Sequence, residues 1–128
     1  MLNENAKKWV AALRSGEFKQ GVRQLRGKDD SYCCLGVACE LAAREGVIPP
    51  AEFIEAKQIY FYDACGYFLP VDVIKWLGLE TRDGRFAVRN SDDSYEYPNF
   101  LSIKNDNRIP FAEIADIIES EPKGLFRK

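Results

Sequence analysis

The chain of 128 residues is long enough for one domain with a buried core, and its 46% hydrophobic and 30% charged residues exclude global disorder. No apolar run approaches the roughly 20 residues that span a bilayer, and the polar N-terminus MLNENAKKWV lacks the apolar core of a signal peptide, so we expect a cytoplasmic protein. The net charge of −2 argues against tight duplex-DNA binding, which usually requires a broad basic face.

A first helix is predicted over about residues 3–15, and Gly16 follows it at the position of a left-handed cap. Its apolar residues recur at helical spacing: Leu2, Ala6, Trp9, Val10 and Leu13. Residues 19–26 have poor helical periodicity and a glycine on each flank, and the turn signal GKDDS follows them. We therefore predict a short hairpin in this region.

A second helix is predicted over residues 34–44, where apolar side chains lie on more than one side, so it should be central and well buried. Ser31 is a candidate N-cap, although the strand interpretation competes for it. The prolines at positions 49 and 50 break the helical pattern. Residues 52–68 stay open, because EFIEAKQ is compatible with a helix and IYFYDACGYF with a strand.

Pro70 and Gly78 bracket a third helix, PVDVIKWLG. The alternation in RFAVR predicts a strand over residues 85–89, and residues 95–103 are expected to pair with it, with Pro98 at an edge or bulge. A final helix runs from Pro110 to about Ser120. The predicted fold class is a single small α+β domain over residues 1–128, with a short antiparallel sheet packed against about four helices.

Positive charge is concentrated near the N-terminus: residues 1–28 hold seven Lys or Arg and two Glu, and residues 29–128 hold eleven Lys or Arg and eighteen Asp or Glu. Four cations and two glutamines lie close together in sequence: Lys19, Gln20, Arg23, Gln24, Arg26 and Lys28. Arginine offers anionic oxygens a planar fork of donors, so we predict contact with a phosphate or nucleotide. The alternative is a solvated charged strand, on which Arg23 would not share a face with Arg26.

The cysteines of CCLGVAC allow three interpretations. In the cytoplasm Cys33, Cys34 and Cys39 are expected to be reduced, and free cysteine commonly packs as a small hydrophobe. A soft metal is the second interpretation, but the paired zinc spacing is missing and Cys65 is distant. A nucleophilic thiol at a helix N-terminus is the third, yet the chain has no histidine to act as its base.

Asn105 and Asp106 lie between the predicted strand end and the last helix. Short polar side chains there commonly satisfy backbone donors in turns, but loops at strand ends also carry ligand contacts. Asp92, Asp93 and Glu96 lack calcium-loop spacing and are predicted to be a solvated loop.

One segment of the chain is rich in aromatic side chains, which are expected in the core or at a subunit interface, so a homodimer is plausible. Stacking on a nucleic-acid base is the alternative. The residues are Tyr60, Phe61, Tyr62, Tyr67 and Phe68.

Several patches resemble a family of small proteins encoded by bacteriophages and prophages: KWVAALRSGEFKQGVRQLR, YCCLGVACEL, LPVDVIKWLGL and NDNRIPFAEIADIIE. Together they cover about half of the chain. The resemblance implies a phage setting and, for a small protein without evident catalytic residues, a role against a host defence. The positions within the patches that are candidates for ligand contact are Gln20, Gly21, Cys33, Cys34, Asn105 and Asp106.

Our leading hypothesis is a non-catalytic phage-type accessory protein that antagonises host defence by binding or sequestering a small anionic, nucleotide-like ligand. The alternatives are a protein-binding inhibitor of a host enzyme and a cysteine-dependent enzyme. No metal, cofactor, membrane or duplex-DNA partner is expected, and the compartment would be the host cytoplasm. The predicted ligand-contacting residues are Lys19, Gln20, Arg23, Arg26, Cys33, Cys34, Asn105 and Asp106.

Overall fold

The chain folds as a small single α+β domain, and its computed structural model describes residues 2–89, 92 and 95–127. In the described part the helices are α1 (Glu4–Arg14), α2 (Cys34–Arg44), α3 (Val71–Leu77), α4 (Leu101–Asp106) and α5 (Phe111–Glu119). The strands are β1 (Lys19–Gln20), β2 (Arg26–Gly27), β3 (Ser31–Tyr32), β4 (Glu52–Ile54), β5 (Ile59–Phe61), β6 (Arg85–Arg89) and β7 (Glu96–Phe100). The predicted fold class is confirmed.

The strands of the described residues form two sheets instead of the one antiparallel sheet that was expected. A five-stranded sheet has the order β1-β3-β2-β5-β4, and β6 and β7 form a separate two-stranded ribbon. Strand β1 pairs in parallel with β3, whereas the other pairs are antiparallel. The parallel pair arises because the chain leaves β1, turns through residues 21–25 and enters the β2–β3 hairpin, whose second strand returns beside β1.

The predicted hairpin lies at residues 26–32, and the alternative of one charged strand through the cation cluster is wrong, because β1 ends at Gln20 and β2 begins at Arg26. Arg23 has a left-handed φ of 75°, which interrupts the extended backbone. Between β2 and β3, Asp30 is also left-handed, with a φ of 61°. The cations of this region therefore do not lie along one regular strand.

Helix α2 is the centre of the core, as predicted. Its residues from Cys34 to Cys39 are all buried, and the indole of Trp9 on α1 donates a hydrogen bond to the carbonyl of Cys34 at 2.9 Å. The N-cap is Cys33, whose Sγ accepts from the N–H of Gly36 at 3.4 Å. Ser31 belongs to β3, so its alternative role as a helix cap is wrong.

Two segments differ from expectation. Residues 52–61 form the β4–β5 hairpin, so the helical option for EFIEAKQ is wrong. The strand predicted over residues 95–103 ends at Phe100, and helix α4 follows at once. Helix formation places Leu101 and Asn105, four residues apart, on one face, and both are fully buried.

Helices α1, α3 and α5 are confirmed close to their predicted ends. Gly16 and Gly78 take left-handed φ values of 79° and 72° after α1 and α3. Pro110 stands immediately before α5, where its fixed φ suits a helix start. None of the described helices has the length and apolar character that a membrane span requires.

Candidate ligand-binding grooves

Asn105 joins three separate segments from inside the core. Its Oδ1 accepts hydrogen bonds from the backbone N–H of Cys34 at 3.0 Å and from Nε2 of Gln20 at 3.1 Å. Its Nδ2 donates to the carbonyl of Gly21 at 2.8 Å, and the Gln20 amide also donates to the carbonyl of Ile109 at 2.8 Å. The structure therefore brings Gln20 and Asn105 together, but both amides are used to hold β1, α2 and α4 in place.

Cys33 and Cys34 are buried beside this junction, so neither thiol is open to a ligand in this structure. Burial raises the pKa of Cys33 to about 12 and that of Cys34 well above its ordinary value, although backbone donors at the start of α2 act in the opposite direction. The thiol of Cys34 donates to the carbonyl of Leu101 at 3.6 Å. Both sulfurs are thus neutral packing groups, and the helix N-terminus does not make either one a thiolate.

No metal site accompanies these cysteines within residues 2–89, 92 and 95–127: no three His, Cys, Asp or Glu side chains lie close enough to hold an ion. In the predicted acidic loop, Asp92 is exposed and Glu96 pairs with Lys123 at 3.1 Å, while Asp93 lies outside the described residues.

Arg26 is held internally, away from any cavity. Its Nε and Nη2 donate to Asp30 at 2.9 and 2.7 Å, and its guanidinium carbon lies 4.3 Å from the ring centre of Tyr60 and 5.2 Å from that of Tyr32. Burial has the largest single effect on the pKa of Arg26 and lowers it, but hydrogen bonding to Asp30 and Tyr62 and the charges of the nearby tyrosines together outweigh burial, and the net shift is upward. Arg26 therefore has its anionic and aromatic partners within the chain and lines none of the three cavities described below, so its ligand role stays a prediction without support from the geometry.

Lys19 is exposed and pairs with Asp29 at 3.1 Å. It does not line any of the three cavities described below, so the structure does not bring it to the other predicted site residues.

Arg23 and Asp106 are the two predicted residues that meet at an open cavity. The left-handed turn at Arg23 directs its backbone N–H to Oδ1 of Asp106, at 2.7 Å. Within the described part of the chain the Arg23 guanidinium has no ion-pair partner. The cavity has a volume of about 440 Å³, and we call it the α4 groove; it is lined by Arg23, Tyr67, Phe68, Asp83, Phe100, Ser102, Ile103 and Asp106.

A tight turn after β5 places the aromatic wall of this groove. Asp63 and Ala64 both have left-handed φ values, 48° and 67°, and Tyr62 and Cys65 exchange two backbone hydrogen bonds of 2.8 Å across them. These features are typical of a type I′ hairpin turn. The N–H of Leu25 then donates to the carbonyl of Gly66 at 2.8 Å. This bond ties the loop that carries Arg23 to the segment that carries Tyr67 and Phe68.

A second cavity, of about 390 Å³, shares Tyr67 and Phe68 with the α4 groove. We call it the α3 groove; it is lined by Phe61, Ala64, Cys65, Gly66, Tyr67, Phe68, Leu69, Val71, Ile74 and Arg82. The guanidinium carbon of Arg82 lies 4.5 Å from the ring centre of Phe68. The aromatic segment therefore divides: Tyr62 is fully buried, whereas Tyr67 and Phe68 are 44% and 37% exposed.

A third cavity, of about 330 Å³, lies beside the β6–β7 ribbon. Its charged lining residues include Arg85, Glu96 and Lys123, of which the last two pair with each other. None of the predicted site residues lines it.

Sequence reasoning selected Arg23 and Asp106 as ligand contacts and gave base stacking as an alternative for Tyr67 and Phe68, but it missed the rest of the α4 groove lining. Arg82 and Asp83 lie in the polar turn after α3, where a turn pattern indicates only solvent exposure. Phe100 and Ile103 fell within a predicted strand. The resemblance to phage proteins offered no signal for Tyr67 and Phe68, because their segment lies outside the matching patches.

Comparison with known proteins returned one family. The model described as Domain of unknown function (DUF8296) matches residues 1–122, a range that includes the lining residues of both aromatic grooves. Neither a curated protein nor a solved structure matches the chain.

Proposed function

We propose that this chain, which belongs to the DUF8296 family of domains of unknown function, is a non-catalytic accessory protein that binds a small anionic, nucleotide-like ligand in the α4 groove. One observation carries the proposal. In a single open cavity, an arginine without an ion-pair partner among the described residues stands beside three aromatic side chains.

The side chains of the groove match the parts of a nucleotide. Tyr67, Phe68 and Phe100 offer rings on which a base can stack, a contact worth about 1–3 kcal/mol per base. Arg23 offers a planar fork to one phosphate. The carboxylate of Asp106 accepts hydrogen bonds, as a ribose hydroxyl or an exocyclic amine requires.

Both carboxylates of the groove have one oxygen in use and one available. Oδ1 of Asp106 accepts from Arg23, and Oδ1 of Asp83 accepts from the hydroxyl of Thr81 at 2.9 Å. Among the described residues the second oxygen of each has no hydrogen-bond partner. They are therefore positioned to receive donors from a ligand without disrupting the turn that holds them.

The properties of the cysteines support binding without catalysis. A cysteine nucleophile needs a thiolate and a base, but burial raises the pKa of Cys33 and Cys34, and the chain contains no histidine. The bacteriophage setting implied by the sequence resemblance would make the ligand a nucleotide signal of a host defence, sequestered in the host cytoplasm.

Isothermal titration calorimetry with a panel of mononucleotides and dinucleotides tests the proposal, using Arg23→Ala and a matched control, Arg127→Ala. Arg127 is also exposed and lies outside both grooves. We expect a binder in the panel whose affinity falls at least about tenfold, or 1.4 kcal/mol, in R23A and stays unchanged in R127A. If no nucleotide binds, or if R23A binds like the wild type, the proposal fails.

A protein-binding inhibitor is the second candidate, because exposed apolar side chains line the grooves. Val71 is 63% exposed, Ile103 46%, and both lie beside the exposed rings of Tyr67 and Phe68. A stoichiometric host partner that binds without nucleotide and is lost in Val71→Asp would favour this candidate. A V71D protein that still binds nucleotide would separate the two functions.

A further inference from the structure

The α4 and α3 grooves share two of their lining residues and can be treated as two halves of one candidate site. Tyr67 and Phe68 line both cavities, and we call this aromatic pair the ridge. Each half is at the lower end of the roughly 300–1,000 Å³ typical of small-molecule sites. A ligand that fills only one half leaves the other half in water.

Each half has its own arginine, Arg23 in the α4 groove and Arg82 in the α3 groove. Neither guanidinium has an ion-pair partner within residues 2–89, 92 and 95–127. Elsewhere in the described chain, arginines near carboxylates do pair with them: Arg14 with Asp116 and Glu119, and Arg44 with Glu17 and Glu40. The two unpaired cations thus line separate cavities that share one aromatic ridge.

On the α3 side, the interaction between the ridge and Arg82 is weak. Arg82 rests 4.5 Å over the ring of Phe68, and an exposed cation–π contact of this kind is weak. A base that stacks on Phe68 would displace the guanidinium from the ring, and Arg82 would then be available for an anionic oxygen. One ligand could therefore stack a base on Phe68 and place a phosphate oxygen beside Arg82.

The carboxylates of the α4 groove determine how much negative charge a ligand can concentrate there. Asp83 and Asp106 line the same cavity as Arg23, so its charged lining carries one positive and two negative groups. A triphosphate beside them would place several like charges in one small space, which is unfavourable. Single phosphates near Arg23 and near Arg82 avoid that repulsion.

We infer that the two grooves form one bipartite site for a dinucleotide that carries two separated phosphate groups, one near Arg23 and one near Arg82, with a base against the Tyr67–Phe68 ridge. This inference rests on the proposed function and narrows its ligand class. A cyclic dinucleotide and a linear dinucleotide with a terminal phosphate share this chemistry.

Calorimetry with four probes tests the inference: AMP, ATP, a linear adenine dinucleotide with a terminal phosphate, and cyclic di-AMP, with the guanine series in parallel. We expect at least one dinucleotide to bind at least about tenfold more tightly than the monophosphate and the triphosphate of the same base. The two dinucleotide forms show which phosphate geometry the grooves prefer.

Arg82→Ala distinguishes the contribution of the α3 groove to binding from that of the α4 groove. It should weaken the dinucleotide at least about tenfold and change monophosphate affinity less than about twofold, whereas R23A should weaken both and R127A neither. Thermal melting followed by circular dichroism verifies that each variant is folded. A monophosphate that binds as tightly as the dinucleotides, or an R82A protein that keeps dinucleotide affinity, overturns the bipartite site and leaves the proposed function standing. If no nucleotide binds, both fail.

Discussion

The side-chain oxygen of Asn105 accepts a hydrogen bond from the backbone N–H of Cys34 at 3.0 Å, so a residue of α4 satisfies a donor that the first turn of α2 leaves free. Cys33 satisfies another through its sulfur. The start of α2 is thus capped partly by a residue far away in sequence. The same contact fixes the position of α4. Asp106, the residue after Asn105, therefore lies beside the loop of Arg23 and accepts a hydrogen bond from the backbone N–H of Arg23.

Asn105→Ala should destabilise the fold by about 3 kcal/mol, because it leaves the N–H of Cys34 and the carbonyl of Gly21 without partners in the interior. Urea unfolding followed by tryptophan fluorescence measures the loss. Asn107→Ala is the control, since Asn107 is exposed, and we expect a change below about 0.5 kcal/mol. Equal stabilities of the two variants would contradict a structural role for the Asn105 amide.

Gly36→Ala should cost about 3 kcal/mol or more, because an added Cβ would overlap the carbonyl oxygen of Leu25 and lie 2.6 Å from its carbon. The obstacle is backbone and cannot rotate away. Gly16→Ala is the comparison: nothing lies within 4 Å of its Cβ position, and only the left-handed φ of 79° is strained, for about 1–2 kcal/mol. Thermal unfolding of both variants tests this, and a G36A protein as stable as G16A would show that the contact between α2 and the loop relaxes.

Native thiol labelling should find one accessible cysteine. Cys65 is partly exposed and lines the α3 groove, whereas Cys33, Cys34 and Cys39 are buried. With Ellman's reagent at neutral pH we expect one thiol per chain to react fast in the folded wild type and none in folded Cys65→Ser. In urea, all four thiols of the wild type should react. Fast labelling of C65S would mean that the buried thiols open readily.

The stability of the fold should fall in alkali. Burial raises the pKa values of Cys33, Cys34 and Cys39 in the folded state, while the unfolded chain releases the same protons near a pKa of about 8.5. The contribution of these neutral thiols to the free energy of unfolding is therefore fully present below about pH 8.5 and is lost as the pH rises above that value. At about pH 9.5, one unit above the unfolded-state pKa, the loss is about 1.4 kcal/mol per thiol.

Urea unfolding under a reducing agent at about pH 7.5 and pH 9.5 measures this dependence, with an expected loss of about 4 kcal/mol from three thiols. Cys39→Ala should show a smaller difference between the two pH values than the wild type, although its stability at neutral pH also drops. An unchanged urea midpoint across this range would contradict burial of the neutral thiols.

Arg26 and Arg23 should give opposite phenotypes. Arg26→Ala removes the Asp30 hydrogen bonds and the packing on Tyr60, so the fold should lose about 1–3 kcal/mol. Arg23→Ala should leave stability within about 0.5 kcal/mol, because the contact to Asp106 uses the backbone N–H. Denaturation curves of the two variants provide the comparison, and a destabilised R23A would mean that its side chain also supports the turn.

Local pattern was sufficient for three helices. Helices α1, α3 and α5 have apolar residues at helical spacing and proline or glycine at their ends, and these signals act within one turn. Helix α4 was read as strand because YPNFLSI combines aromatic and β-branched residues. Only its packing, with Leu101 and Asn105 both buried, favours the helix.

The amino-acid sequence alone determined the fold class, the central place of the CCLGVAC helix and the absence of histidine chemistry, because composition and short-range periodicity decide these properties. The tertiary structure alone decided which cations have partners within the chain and which line a cavity. Arg23 and Arg26 are equivalent in the sequence pattern, yet Arg26 lies against Tyr60 and close to Glu40, while Arg23 faces a groove whose aromatic wall follows a different hairpin. Arg26 also pairs with Asp30, four residues away, but its contacts with Tyr60 and Glu40 exist only because folding brings distant segments together.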